Sequence, residues 1–242
     1  MLRQARLTGN FCQTPCMTTL LIATRNTHKV GEIRAILGAQ FRFLTLNDFP
    51  AAPKVVEDAP TFAGNAAKKA VELAKWLTRI PNSEFRIPNF VLADDSGLEV
   101  DALNGAPGVH SARFAALDSI KSGNTPDADN NAKLLRLLQD VPGEKRAARF
   151  RCVIALVAVP EEKVEAASPV CYADGSEPQT FDGVCEGRII FAPQGENGFG
   201  YDPLFVPVGY EQTFAELGDE VKNQLSHRAK ALAKLKRHFC PP

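Results

Sequence analysis

The sequence predicts an α/β protein built on a mixed, strongly twisted central sheet flanked by helices. Three observations carry that expectation. The short apolar runs Thr19 to Ala23 and Phe90 to Ala93 have the length and the β-branched and aromatic content of buried strands. Between and after them lie stretches with apolar residues at helical spacing, so strands and helices alternate. A longer run, Ala147 to Val159, sets Phe150, Cys152, Ile154 and Leu156 in alternation with Arg149, Arg151 and Val153, the two-residue period of a strand.

Size and charge narrow the classes. The chain has 242 residues, 45% of them hydrophobic, which supports one large domain or two tightly joined lobes with a full core. The 28 basic residues balance 28 acidic ones, so no basic excess marks a nucleic-acid or membrane-surface binder. No apolar run approaches the roughly 20 residues of a spanning helix. The cysteines (Cys12, Cys16, Cys152, Cys171, Cys185 and Cys240) are scattered without a C-x-x-C pair. They read as free thiols in a reducing compartment, and the expected localisation is cytoplasmic. Residues 1–16 lack an apolar h-region and so are no secretory signal. Arg3 and Arg6, without an acid, resemble an organellar targeting peptide. Met17 before the first strand points instead to an upstream start and a disordered extension, the reading preferred, leaving residues 17–242 as the folded domain.

In chain order, Thr19 to Ala23 is followed by the polar loop Thr24-Arg25-Asn26-Thr27-His28-Lys29. A helix with Val30, Ile33, Ile36 and Leu37 at helical spacing comes next. A strand, a lysine-bearing loop and a helix start form a recurrent phosphate site, because backbone N–H groups and the positive end of the helix dipole face the anion. The loop lacks the glycines of a P-loop, and many such turns carry a lysine without a ligand. Phe41 to Leu46 reads as a second strand, followed by a proline-marked loop with Glu57 and Asp58. Thr61 is the expected N-cap of a helix carrying Phe62, Ala66, Ala70, Leu73 and Leu77 on one face, with Lys68 and Lys69 as solvated charges.

The apolar run Phe90 to Ala93 then delivers Asp94-Asp95-Ser96-Gly97. Alternation sends the two carboxylates to opposite sides at the strand's end, so only one can lead the chemistry of a given site. A carboxylate at such an edge is suited to Mg2+, which prefers oxygen ligands and retained waters; the plainer alternative is an acid pair that caps a turn. Thr125-Pro126-Asp127 supplies a cap, a proline at the first helical position and an acid for a helix ending near Pro142. Glu161 to Thr180 is a polar, exposed connection, and Gly183 to Phe191 a further strand. In residues 195–203, three glycines around Phe199 and Tyr201 make an expected mobile loop, whose rings could stack on a flat ligand or simply close over the core. Ser226 is the expected N-cap of a last helix. His227 and Arg228 fall in its first turn, where the dipole disfavours positive charge, so another reason is needed, an anionic or hydrogen-bonding ligand being one.

Taken together these stretches resemble the inosine/xanthosine triphosphate pyrophosphatase family. The matching residues are Ala23 to Lys29, Val55 to Asp58 with Thr61-Phe62 and Asn65-Ala66, Ala93 to Leu98, Gly105 to Gly108, Ser111 to Phe114, Gly198 to Pro203, and Ser226 to Arg228. The resemblance covers about Leu20 to Phe239, in the family's order. One departure is Gly64, where the family has a Glu that would complete a capping box with Thr61, so the helix start should be modestly weaker. The resemblance implies two lobes with a nucleotide cleft between them, usually in a homodimer. It implies Mg2+-dependent hydrolysis of ITP, dITP and XTP to the monophosphate and pyrophosphate. Thr24, Arg25, Asn26, Thr27, His28 and Lys29 would cradle the triphosphate. Glu57 and Asp95 would bind Mg2+, with Asp95 also the base. Ser96 and Lys222 would touch substrate, Phe199, Gly200, Tyr201 and Asp202 enclose the base, and His227 and Arg228 approach the purine edge. Asp94 and Lys69 are lesser candidates. A pyrophosphatase of the same fold for another triphosphate, or a non-catalytic nucleotide-binding module, are the rival readings.

Overall fold

The computed structural model describes residues 17–80, 88–118, 123–159 and 177–239. The strands are β1 (Thr19–Ile22), β2 (Arg42–Thr45), β3 (Phe90–Val100), β4 (Ala147–Ala158), β5 (Gln179–Ile189) and β6 (Phe205–Pro207). They form one sheet in the order β2-β1-β3-β4-β5-β6. β2, β1 and β3 run parallel, and β3, β4, β5 and β6 pair antiparallel, so the sheet is mixed as expected. The helices are α1 (Thr27–Leu37), α2 (Phe62–Leu77), α3 (Asp127–Leu137), α4 (Phe214–Leu225) and α5 (His227–Phe239). None is long and apolar enough to cross a membrane.

The parallel half is covered on both faces, which is why its strands read as unbroken apolar runs. On one face Leu21, Val91 and Ala93 pack with Ala66, Ala70 and Leu73 of α2. On the other, Leu20, Ile22 and Leu92 pack with Ile33 and Leu37 of α1 and with Leu232 and Leu235 of α5. A third cluster, with Leu98, Phe150, Phe205 and Phe214, fills the antiparallel half under α3 and α4.

Several boundaries differ from expectation. β3 does not stop at Ala93 but continues to Val100, because β4 pairs with it from Phe90↔Ala158 to Val100↔Ala148. β5 begins at Gln179, four residues before the expected Gly183, because Gln179 to Asp182 pair with Val153 to Leu156 of β4. Residues 161–176 of the expected connection, Cys12, Cys16, Cys171 and Cys240, and the extension 1–16 lie outside the described residues. The expected caps at Thr61 and Ser226 are present, their hydroxyls accepting from Gly64 N and Ala229 N. Thr125 does not cap α3. Its hydroxyl donates to Asn130 Oδ1 at 2.6 Å, Pro126 takes the cap position, and the helix starts at Asp127 and ends at Leu137, short of Pro142.

Candidate active site

Because β3 is regular through the acid pair, side-chain alternation decides what each acid meets. Asp94 continues the face of Leu92, toward α1 and α5, whereas Asp95 continues the face of Val91 and Ala93, toward α2.

On the first face Asp94 is buried and heavily bonded. Lys29 Nζ donates to its Oδ1 at 2.5 Å, Arg228 Nε to its Oδ2 at 2.9 Å, Ser96 Oγ to Oδ1 at 3.0 Å and Cys152 Sγ to Oδ2 at 3.1 Å. Arg228 also donates to Glu32 and, through Nη2, to Ser96 Oγ at 2.9 Å. Lys222 Nζ lies 2.8 Å from Glu32 Oε1 and 2.5 Å from Asp202 Oδ2. Asp202 Oδ2 accepts in turn from the backbone N–H of Phe199 at 2.8 Å. The result is an alternating chain, Lys29–Asp94–Arg228–Glu32–Lys222–Asp202, gathered from α1, β3, α5, α4 and the 199–202 loop. Burial raises the Asp94 pKa, but Arg228 and Lys29 outweigh it and hold the carboxyl well below the usual carboxylate range. Burial likewise raises that of Glu32, and Arg228 and Lys222 reverse the shift. At Asp202 burial prevails over Lys222 and the pKa is raised.

This network supplies the reason, left open by the sequence, for positive charge in the first turn of α5. Arg228 is answered by carboxylates within the fold. His227 is held neutral by burial and by the neighbouring Arg228 and Lys222, and its ring stacks on Phe150 with centroids 4.8 Å apart. Its Nδ1 is buried without a hydrogen-bond partner.

On the second face Asp95 is 6% exposed, and its Oδ2 also has no hydrogen-bond partner. Burial pushes its pKa up to about 6, against the pull of Lys29 and Lys69 and with help from Glu57. Lys69, expected as a solvated charge, is instead mostly buried; its Nζ lies 2.8 Å from Glu57 Oε1 and donates to Asp94 O at 3.1 Å. Lys68 does pair at the surface, with Asp58. Arg113 Nη2 donates to the Glu57 carbonyl at 3.3 Å. Beyond the acids, Gly97 lets the 3₁₀ turn Gly108–Arg113 lie against the strand. A Cβ there would come within 2.4 Å of Ser111 Oγ and 2.5 Å of Gly108 O.

Two cavities lie near the acids and share Asn124 in their walls; Asp94 and Asp95 line neither. The larger, about 710 Å³, is lined by Thr24, Arg25, Lys54, Glu57, Lys69 and Arg113 among others. The smaller, about 150 Å³, is lined by Asn26, Lys29, Ser96, Phe199, Gly200, Tyr201, Asp202, Lys222, His227 and Arg228, with Ser111, Asp127 and Phe150. The structure thus gathers nearly all the residues singled out from the sequence, but divides them. Asn26 is the N-cap of α1, accepting from Lys29 N, and Arg25 Nη1 donates to Leu46 O at 3.0 Å. Thr27 is exposed in the first turn of α1 and lines neither cavity. His28 is exposed as well, and its ring stacks on Phe199 at 5.3 Å. The alternatives for the aromatic loop divide between its rings. Phe199 faces the small cavity with Lys222 Nζ 4.3 Å from its centroid, whereas Tyr201 closes over the core and donates from its hydroxyl to Ser111 O at 2.9 Å.

Sequence reasoning gave Arg113 no role although it stands in the matching stretch Ser111 to Phe114, kept Asp94 as a lesser candidate, and did not single out Glu32, Cys152 or Asp127. Glu32 carried a faint signal, lying one turn after Lys29 on the same helix face. The others are brought in by tertiary packing and left none.

Comparisons with known proteins give the family of the chain. The profile of the Ham1 family matches residues 20–238. The dITP/XTP pyrophosphatase of Geobacter sulfurreducens is 48% identical over 224 residues, spanning 92% of this chain and 97% of that protein. That of Desulforamulus reducens is 46% identical over 216 residues, spanning 89% and 92%. Among solved structures, the HAM1 protein from Coxiella burnetii superposes with a TM-score of 0.72 at 35% identity, covering 93% of this chain and all of that one. The nucleoside-triphosphatase / dITP/XTP pyrophosphatase from Mycobacterium abscessus gives 0.65 at 37% identity, with the same coverage of this chain and of that one. The mixed sheet, the two-sided acid strand and these matches along nearly the whole length lead to one assignment: the chain belongs to the Ham1 family.

Proposed function

We propose that the protein is a Mg2+-dependent nucleoside triphosphate pyrophosphohydrolase that converts ITP, dITP and XTP to the monophosphate and pyrophosphate, clearing deaminated purines from the nucleotide pool. The observation that carries this reading is the pair of adjoining cavities. One is lined by cations and Glu57, the other by Phe199, Lys222, His227 and Arg228 with Ser96 of the acid strand, and the two share Asn124.

The donor set fits the metal. Asp95 offers an unpartnered carboxylate oxygen and Glu57 a partly exposed carboxylate. Among the described residues no group of three or more His, Cys, Asp or Glu is placed to hold a cation alone. That suits Mg2+, which is held through one or two carboxylates together with substrate phosphates and waters. Bound there by Glu57 and Asp95, it would neutralise charge on the phosphates. Thr24, Arg25 and the start of α1, with Asn26, Thr27 and His28, flank the polyphosphate, and Lys29, kept in place by Asp94, meets its charge. Asp95 accepts the proton of the water that attacks between the α and β phosphates. Burial raises this carboxyl to about 6 in the metal-free protein, and a bound Mg2+ would bring it down, keeping the carboxylate ionised.

In the small cavity Phe199 stacks on the purine, with Gly200, Tyr201 and Asp202 shaping the enclosure and Ser96 and Lys222 in contact with substrate. His227 and Arg228 stand at the purine edge. Hypoxanthine and xanthine offer a 6-oxo acceptor where adenine has a 6-amino donor. A site built on donors leaves a donor unpaired against adenine, discrimination worth about 10⁴-fold or more. We further propose a cytoplasmic homodimer, which sedimentation of the purified protein would test.

The decisive assay is pyrophosphate release with Mg2+ from ITP, XTP, dATP and dGTP side by side. Fast turnover of ITP and XTP alone is expected. Equal turnover of all would discard the roles of Phe199, His227 and Arg228, and no turnover would leave a nucleotide-binding module.

A further inference from the structure

α3 meets the aromatic loop through side chains one helical turn apart. Asp127 and Asn131 lie four residues apart and so share a helix face. Asp127 Oδ2 accepts from the backbone N–H of Gly200 at 2.6 Å, and Asn131 Nδ2 donates to the Gly200 carbonyl at 3.0 Å. Both polar groups of a single residue are therefore held by one helix.

That residue has no side chain with which to anchor itself. Phe199 N–H is bonded to Asp202, and the Tyr201 hydroxyl is bonded to Ser111 O. Gly200 has φ +65°, a left-handed angle that disfavours a side chain, although a Cβ would meet nothing within 4 Å. Glycine is needed there for the backbone angle, and its freedom has to be removed from outside. Asp127 also lines the small cavity, as Phe199 does.

We propose that Asp127 and Asn131 are positioning residues for substrate recognition: by clamping the Gly200 peptide they fix the ring of Phe199 for the purine. The inference rests on the function proposed above. It assigns to α3, which carries none of the triphosphate or metal residues, control over how well the base is bound. Pre-organising a loop lowers the ordering cost of binding and leaves Asp95 on β3 and Glu57 in the loop before α2 untouched.

The test compares wild-type protein with Asp127→Ala, Asp127→Asn and Asn131→Leu, using steady-state hydrolysis of ITP with Mg2+ and thermal midpoints. Asp127→Ala and Asn131→Leu should raise KM for ITP by about tenfold while kcat stays within about twofold. Asp127→Asn keeps an acceptor for Gly200 N–H and should stay within about threefold of the wild-type KM. Unchanged KM in the first two variants overturns the proposal. So does Asp127→Asn behaving like Asp127→Ala, since that would assign the effect to carboxylate charge at the start of α3. A joint fall of kcat and thermal midpoint, without the KM change, would reduce the contact to a structural one. Hydrogen exchange at the Gly200 amide of the ligand-free protein reads the clamp independently of turnover. Asp127→Ala should speed it by about tenfold with β3 and α5 unaffected, and an unchanged rate overturns the proposal even if ITP is no substrate.

Discussion

Arg228 occupies the first turn of a helix, where the dipole opposes it, and is held by Asp94 and Glu32. Removing one member of a buried charge pair leaves the other uncompensated, at a cost of about 3–5 kcal/mol. Arg228→Ala is therefore expected to lower the unfolding free energy by that amount, read as a fall in the urea midpoint, as well as to weaken the preference for ITP over ATP. A midpoint equal to wild type would mean that Asp94 and Glu32 find other partners, and unchanged selectivity would remove Arg228 from the purine edge. Asp95 predicts the opposite pattern. Its Oδ2 bonds to nothing in the fold, so Asp95→Asn should cost little stability while lowering turnover by about 10³-fold or more. Near-wild-type turnover would withdraw Asp95 as the base. Alternation told in advance that the two acids part company; it was silent on the partners each would find. Asp94 came out as the hub of a network because residues from α1, α4, α5 and the loop converge on it, and such long-range convergence leaves no local pattern. The loop Thr24 to Lys29 and the pair His227-Arg228 were legible because their residues are consecutive.

Order and type of the elements followed from hydrophobic periodicity, and their ends did not. β3 stays extended past Ala93 because β4 supplies ladder partners as far as Val100, and the start of α3 moved because Asn130 claims the hydroxyl of Thr125. Both are tertiary overrides of local signals. The Ham1 resemblance drew attention to Gly64, and the structure refines that point. Thr61 retains its half of the capping box, but a Cβ on Gly64 would stand 2.8 Å from Ala59 Cβ. Gly→Ala within a helix ordinarily gains about 1 kcal/mol. Gly64→Ala is expected to gain nothing or to destabilise, as read from the thermal midpoint, and the full gain would show that the Ala59 loop yields freely. At Gly97 the obstacle includes backbone, Gly108 O at 2.5 Å, so Gly97→Ala should cost about 1–3 kcal/mol as an overpacked site. An unchanged denaturation midpoint would contradict the close packing of residues 108–111 on β3.

For the molecule as a whole, the division of the sheet into a face toward α2 and a face toward α1 and α5 separates two tasks. Chelation of the divalent cation should abolish ITP hydrolysis, with Mg2+ restoring it, while the thermal midpoint of the ligand-free protein shifts little. The Lys29–Asp202 network, which reaches from the proposed phosphate loop to the proposed base pocket, is held by ion pairs within the fold and needs no metal. A large loss of midpoint on chelation would instead make the cation part of the fold. The two-sided strand has a longer consequence. Asp94 and Asp95 are neighbours along the chain, yet the backbone of β3 stands between their surroundings like a party wall between two workshops. Substitutions in α5, α3 or the 199–202 loop can alter which base is admitted while the floor formed by β3 and α2 remains as it is. A lineage built on this fold is free to change its substrate by renovating one room, without reinventing hydrolysis in the other.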